Sequence, residues 1–255
     1  MEANNRKLKI SFLGTGTSTG IPQIACKCKV CQSTDKRDKR LRASVLIECG
    51  EEKILIDAGP DLRAQLLAAG IVKLSGVLLT HEHYDHVGGL DDIRPLGEVA
   101  VYAETRVLHH IRKVMPYCFA EKLYPGVPRI VLCPVELDAF KVGSVEVQPI
   151  RVFHAKLPVL GYRIANVAYI TDLKTISDSA IEQLQGLDVL VLNALRIDQH
   201  IAHISLSEAI ELAEKIGARC TYFTHFSHDL GLHADVQKML PENMFLSWDG
   251  LMLEV

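Results

Sequence analysis

Short apolar runs that stop at a histidine or an aspartate recur along this chain. Lys7 to Leu13, Ala43 to Cys49, Lys53 to Asp57 and Gly76 to Leu79 read as strands, each rich in β-branched or large apolar residues and bounded by turn residues. Val99 to Tyr102, Ser144 to Phe153, Asp188 to Asn193 and Cys220 to Thr224 continue the series, and Gly161 to Ala165 with Val167 to Thr171 predicts a hairpin around Asn166. Helical spacing is confined to a few segments. Leu62 to Ala69 has Asp61 as a candidate N-cap and Gly70 as a stop. Asp91 to Pro95 closes a short helix, and Glu104 to Val114 is a longer one carrying His109 and His110. Leu206 to Ile216 opens on a capping box of Ser205 and Glu208, with an apolar face of Leu206, Ala209, Ile210, Ala213 and Ile216. Residues 114–134 are broken by prolines and predicted irregular, with Tyr117, Phe119 and Tyr124 available to a substrate wall or lid, and residues 155–160 are expected to form a second pocket loop. The pattern predicts an α+β protein.

What stands at the strand tips is chemical. Thr80-His81-Glu82-His83-Tyr84-Asp85-His86 follows the apolar run 76–79 and precedes Gly88-Gly89. In extended backbone, residues two apart share a side, so His81 and His83 can face one metal together. Asp85 and His86, where the chain turns into a helix, can face a second. Imidazole and carboxylate suit Zn, Mn or Fe without thiolate. His154, Asp172 and His225 each end a strand in the same way and are expected to complete the cluster. Asp57, also at a strand end, can accept the other ring N–H of a ligand histidine. His203, just ahead of the Ser205 cap, is placed to reach a bound ligand.

A second constellation is Cys26-Lys27-Cys28-Lys29-Val30-Cys31. Three thiols in one small loop, with two lysines favouring thiolate, call for a fourth ligand from elsewhere if they hold a tetrahedral structural zinc. Cys49, Cys118, Cys133 and Cys220 are expected to pack in the core. Gly14 to Gly20 lacks the Lys-Ser/Thr ending of a P-loop and is expected to be a tight turn close to the metal site.

Composition narrows the class. The chain has 255 residues, 48% of them hydrophobic, enough for a sizeable core; one domain over residues 1–255 is expected, with the cysteine loop inside 20–42. No apolar run reaches membrane-spanning length and the N-terminus has no signal-peptide core, so a cytoplasmic protein is expected. A net charge of −3 offers no broad basic face for nucleic acid, and the run Lys36 to Arg42 reads as a solvated loop. A homodimer remains compatible with the sequence.

His81-x-His83-x-Asp85-His86 followed by His154, Asp172 and His225 resembles, residue by residue, the metal signature of the metallo-β-lactamase-fold hydrolases. The resemblance implies an αββα sandwich with the site at one edge between two sheets. Cys26-x-Cys28-x-x-Cys31, His203 ahead of Ser205-Leu206-Ser207-Glu208, and Thr224-His225-Phe226-Ser227-His228 are similar to the PhnP-like phosphoribosyl cyclic phosphodiesterases. By that resemblance Cys26, Cys28, Cys31 and His228 hold a structural zinc, with His233 as the alternative fourth ligand. By the same resemblance His203 is the catalytic histidine, beside two divalent ions (Zn or Mn).

The expected chemistry follows. His81, His83 and His154 would hold one ion, Asp85, His86 and His225 the other, and Asp172 would bridge. Ions about 3.5–4 Å apart lower the pKa of a bridging water towards about 7 and clamp an in-line displacement. Asp85 and Asp57 would support the reaction, and His203 would donate a hydrogen bond or proton. The expected enzyme is a dinuclear phosphodiesterase whose metal-bridging hydroxide attacks a small cyclic or diester phosphate. The alternatives are a tRNA 3′-processing endoribonuclease and a thioester or lactone hydrolase.

Overall fold

A computed structural model describes residues 7–255. In chain order its strands are β1 Leu8–Gly14, β2 Ser44–Cys49, β3 Glu52–Ile56, β4 Gly76–Leu78, β5 Glu98–Ala103, β6 Arg129–Pro134, β7 Phe140–Val142 and β8 Val145–His154. They continue with β9 Leu157–Ile164, β10 Val167–Ile170, β11 Thr175–Ile176, β12 Val189–Asn193, β13 Cys220–Thr224, β14 Met244–Leu246 and β15 Met252–Glu254. Helices are α1 Leu62–Ala68, α2 Tyr84–Val87, α3 Thr105–Val114, α4 Asp178–Glu182, α5 Leu206–Ile216 and α6 His233–Val236, with short 3-10 segments besides, the longest over Leu90–Leu96.

Among the described residues two sheets form. One has the order β15-β1-β2-β3-β4-β5-β6; the other runs β11-β8-β9-β10-β12-β13-β14, with β7 on β8. Each sheet is antiparallel at one end and parallel at the other, the change falling at β3 and at β10. Period-two alternation sorts the side chains. Ile10, Phe12, Val45, Ile47, Ile54 and Ile56 meet Leu160, Tyr162, Tyr169 and Val191 in the core between the sheets. From the same strands, Leu13, Leu46 and Leu55 face outward under α1 and α3. Leu190, Leu192 and Phe223 of the second sheet lie under α4 and α5, with Ala209, Ala213 and Ile216. Helix, sheet, sheet, helix is therefore the layer order, as the resemblance implied. No helix among the described residues is long and apolar enough to cross a membrane.

Three expectations need correction. Residues 129–134 form an edge strand parallel to β5, not an irregular segment; its mostly exposed or half-buried side chains explain why no apolar signal marked it. Ahead of that strand, Cys118 is buried in the outer helical layer and Tyr117 donates to Asp91 (2.7 Å), whereas residues 120–126, Tyr124 among them, are exposed. Residues 155–160 are not a loop: Ala155 and Lys156 make a tight turn, Ala155 at φ 52, and β9 starts at Leu157. Asp61 does begin α1, but its carboxylate makes no cap bond. It accepts instead from the Arg42 backbone N–H (2.8 Å) and guanidinium.

The basic run is largely consumed inside the molecule. Arg37 pairs with Asp35, Lys39 donates to Cys31 O, Arg42 pairs with Asp61, and Arg40 is buried. Arg40 donates to Thr15 Oγ1 and Ser247 O, lies over the Phe226 ring, and has His233 Nδ1 3.1 Å from its Nη2. Facing a cation, that nitrogen must stay an acceptor. Burial, then the charges of Arg40 and Arg37, push the His233 pKa from 6.5 down to about 4. The unfolded chain therefore takes up the proton first. This stabilisation is complete above pH 6.5 and is lost as pH falls towards 4, up to about 3 kcal/mol at 1.36 kcal/mol per unit. His233→Asn, which keeps an acceptor near the same point, is expected to flatten the melting temperature over that interval; equal slopes in both proteins would contradict this.

Candidate metal centre

Every residue of the expected cluster comes to one place, at the C-terminal ends of strands from both sheets. β4 delivers His81, and the turn into α2 delivers His83, Asp85 and His86. β8 ends in His154, β10 is followed by Asp172, and β13 by His225. Asp57, Asp172 and His225 all sit in the left-handed region, at φ 65, 54 and 60. That region is sparsely populated for side-chain-bearing residues, though Asp and His enter it more readily than most. At each strand tip the reversal re-aims the side chain. The loop carrying Asp57 also packs backbone to backbone on the α2 turn: Ala58 N–H donates to His86 O (2.7 Å), and Gly89 N–H to Ala58 O (2.8 Å). A Cβ on Gly59 would stand 2.1 Å from Asp85 O, and one on Gly89 2.0 Å from Gly59 O. Only glycine allows that approach.

Hydrogen bonds behind the cluster fix which ring nitrogen is free. Asp57, fully buried, accepts His86 Nδ1–H (2.7 Å) and the Thr80 hydroxyl (3.0 Å). With its proton committed, Thr80 Oγ1 accepts from His81 Nδ1 (3.0 Å). Ala202 O accepts from His154 Nδ1 (2.7 Å). The Nε2 lone pairs of His81, His86 and His154 are therefore left for a ligand. Asn193, at the tip of β12, holds Leu173 through both its N–H and C=O and so anchors the residue beside Asp172. In the sequence, Thr80 and Asn193 are marked only as polar residues closing an apolar run.

The inner groups crowd together. His81 Nε2 lies 2.9 Å from His83 Nδ1, two nitrogens that cannot both carry a proton. Asp172 Oδ2 lies 3.1 Å from His86 Nε2 and 3.3 Å from His225 Nε2, while Asp85 Oδ2 lies 3.2 and 3.6 Å from the same two atoms. Despite these distances, His86 Nε2 and His225 Nε2 are buried without a hydrogen bond. Buried nitrogens aimed at a common point beside two carboxylates fit divalent cations. Three overlapping sets have donor atoms close enough to share an ion: His81, His86 and Asp172; Asp85, His86 and His225; His154, Asp172 and His203. His203 Nδ1 is 3.7 Å from Asp172 Oδ1, and its ring centroid is 4.4 Å from that of His154.

Charge follows from burial and neighbours. Burial pushes His81 and His83 below the usual imidazole value, and His203 to about 3, against the pull of Asp172. Burial favours neutral His86 as well, but Asp57, Asp85 and Asp172 together outweigh it and raise its pKa. For Asp172, burial opposes ionisation, yet His225, His86 and His81 hold the carboxyl well below its usual range. Asp85 is held low in the same way, by His86 and His225. Two carboxylates thus stay ionised in a buried nest of imidazoles.

Arg106 braces the segment from outside. It pairs with Glu82, between the two inner histidines, and donates to Pro158 O of β9 (2.6 Å); Glu104 beside it pairs with Arg151 of β8. Arg106→Ala is expected to weaken metal binding about 10–100-fold while leaving the fold intact, read by metal titration beside circular dichroism. Unchanged metal affinity would remove Arg106 from this role.

The second constellation forms too. Cys26, Cys28, Cys31 and His228 bring their donor atoms together, with both Cys26 Sγ and Cys28 Sγ 3.3 Å from His228 Nδ1. His233, the alternative fourth ligand, faces Arg40 instead. The Cys31 N–H, then His228, lower the Cys28 thiol to about 6, whereas burial raises Cys31 to about 11. The lysines of the loop are not among these causes. Cys28→Ser is expected to remove one metal equivalent per chain and lower the melting temperature; full stoichiometry at unchanged stability would contradict it. Gly16 bridges to Phe226, so the glycine turn lies beside His225, between the two constellations. His109 is exposed and His110 half-buried on α3, and neither joins either group.

Residues 52–226 match the family model described as the beta-lactamase superfamily domain. A solved structure described as a new diphosphatase from the PhnP family superposes with a TM-score of 0.92 at 38% identity, covering 98% of this chain and 97% of that one. The zinc-bound PqqB of Methylobacterium extorquens superposes at 0.76 with 19% identity over 97% of this chain and all of that one, a likeness of fold alone. Among curated proteins, an octanoyltransferase of Porphyromonas gingivalis is 44% identical over 251 residues, 96% of this chain but 51% of that protein. A coenzyme PQQ synthesis protein B of Rhodopseudomonas palustris is 33% identical over 40% of this chain and 37% of its own length. The chain thus spans about half or less of these curated relatives. It belongs to the beta-lactamase superfamily, carries the metallo-β-lactamase fold, and is closely similar in structure to a PhnP-family diphosphatase.

Proposed function

We propose that this protein is a dinuclear-metal phosphodiesterase acting on a small, cyclic or linear, phosphodiester. The observation that carries the reading is the convergence of His81, His83, His154, Asp85, His86, His225 and Asp172, with buried ring nitrogens lacking any protein partner. His81, His83 and His154 would hold one ion and Asp85, His86 and His225 the other, with Asp172 within reach of both groups. When bound, the two ions lower the pKa of water so that it is deprotonated near neutrality, and they polarise a phosphoryl oxygen. Asp57 does not touch the substrate; it positions His86 directly and His81 through Thr80. Two divalent ions outweigh the two buried carboxylates, which favours an anionic substrate. His203, neutral at physiological pH, donates its N–H to a phosphoryl oxygen. Cys26, Cys28, Cys31 and His228 would hold a zinc that pins the loop 20–42.

A second reading, hydrolysis of a phosphoanhydride at the same centre, is supported by the likeness to the PhnP-family diphosphatase. A tRNA-processing nuclease is disfavoured because the basic run of residues 36–42 is spent on internal pairs. The test is a substrate panel on the metal-loaded protein: bis(p-nitrophenyl) phosphate, cyclic nucleotides, ADP-ribose and an octanoyl thioester. Cleavage of the first two is expected. Turnover of ADP-ribose alone moves the assignment to the anhydride, and turnover of the thioester alone overturns chemistry at phosphorus.

A further inference from the structure

His200 stands next to the centre and has no part in the roles above. Its ring lies 5.2 Å, at 38°, from that of His203, which lies 4.4 Å from His154. Three imidazoles thus step outward from the buried cluster to a half-buried rim. A single peptide orders the row: Ala202 O accepts from His154 Nδ1, and Ala202 N–H donates to His200 Nδ1 (3.2 Å). An accepting Nδ1 puts the proton of a neutral ring on Nε2. Burial, then Arg196, His154 and Lys174, lower the pKa of His200 and keep it in that neutral form. Its Nε2–H has no protein partner among the described residues. The nearby cations are already engaged: Arg196 donates to the Asp198 and Gln199 carbonyls, and Lys174 pairs with Glu208. His200 is therefore a preoriented, unused donor on this rim, one step beyond His203.

We propose that His200 is a substrate-binding residue whose Nε2–H donates to an oxygen of a second phosphoryl group, adjoining the one held between His203 and the metal centre. This rests on the second reading given above, a substrate in which two phosphoryl groups are neighbours.

The test compares ADP with AMP, which differ by one phosphoryl group, binding to the metal-loaded wild type, His200→Ala and His200→Gln by calorimetry, with metal content counted in each. Wild type is expected to bind ADP more tightly than AMP. His200→Ala should weaken ADP about tenfold, the scale of one hydrogen bond to a charged group, and leave AMP and metal content unchanged. His200→Gln, which returns an N–H near Nε2, should recover most of the loss. An ADP-to-AMP ratio equal in all three proteins overturns the proposal. So does a parallel loss of AMP binding or of metal in His200→Ala, which would make His200 a support for the Ala202 peptide. If the substrate panel fails but the ADP margin behaves as expected, the reaction assignment falls and the phosphoryl site stands.

Discussion

Replacing Asp172 with asparagine is expected to abolish hydrolysis and empty at least one of the two ion positions. The Asp172 carboxylate touches His86, His225 and His203, and Thr171 donates to it (2.9 Å). Like His86, it belongs to two of the three candidate ligand sets. An amide keeps the size, loses the charge, and presents N–H groups where a cation needs lone pairs. The loss should exceed the roughly 10–100-fold that removing a partner behind a ligand costs. Metal counting and the rise in melting temperature on metal addition read this without reference to activity. Full occupancy at near-normal turnover would remove Asp172 from the centre.

His203→Ala is the complementary case: turnover falls while the ions stay. A positioned proton or hydrogen-bond donor is worth about 10²–10⁴-fold, and a loss in that range is expected in kcat. The shape of the pH profile separates the two roles. Because burial holds the His203 pKa near 3, the ring is already neutral throughout pH 5–9, and its N–H donation does not titrate there. Removing it should lower the whole pH–rate profile without deleting a limb. Loss of an alkaline limb would instead make His203 an obligate proton donor. Metal content that fell with activity would place it among the ligands.

Much of this arrangement was legible because the fold puts chemistry where apolar runs stop. His81, His83, His154, Asp172 and His225 each end or follow a strand, and that regularity survives in sequence without any contact information. What stayed hidden is what depends on contacts across the molecule. The left-handed backbone at Asp57, Asp172 and His225 leaves no mark beyond residue types that tolerate it. Thr80 and Asn193 look like ordinary ends of strands until their partners come close in space. Strand 129–134 was missed because an edge strand needs no continuous apolar run and prolines bracket it. The Asp61 carboxylate was read by local capping rules, but Arg42, distant in sequence, takes it. His228 and His233 were both candidates for the cysteine loop; the buried guanidinium of Arg40, which faces His233, separates them.

The account stands on paired cations seated among seven side chains. Anomalous diffraction from crystals of the protein as purified, recorded across the zinc and manganese edges, tests that most directly. Two peaks contacted by His81, His83, Asp85, His86, His154, Asp172 and His225 are predicted, with a third enclosed by Cys26, Cys28, Cys31 and His228. A single peak among the histidines, or His154 or His225 turned away from it, would contradict the two-ion centre and the hydrolysis argued from it.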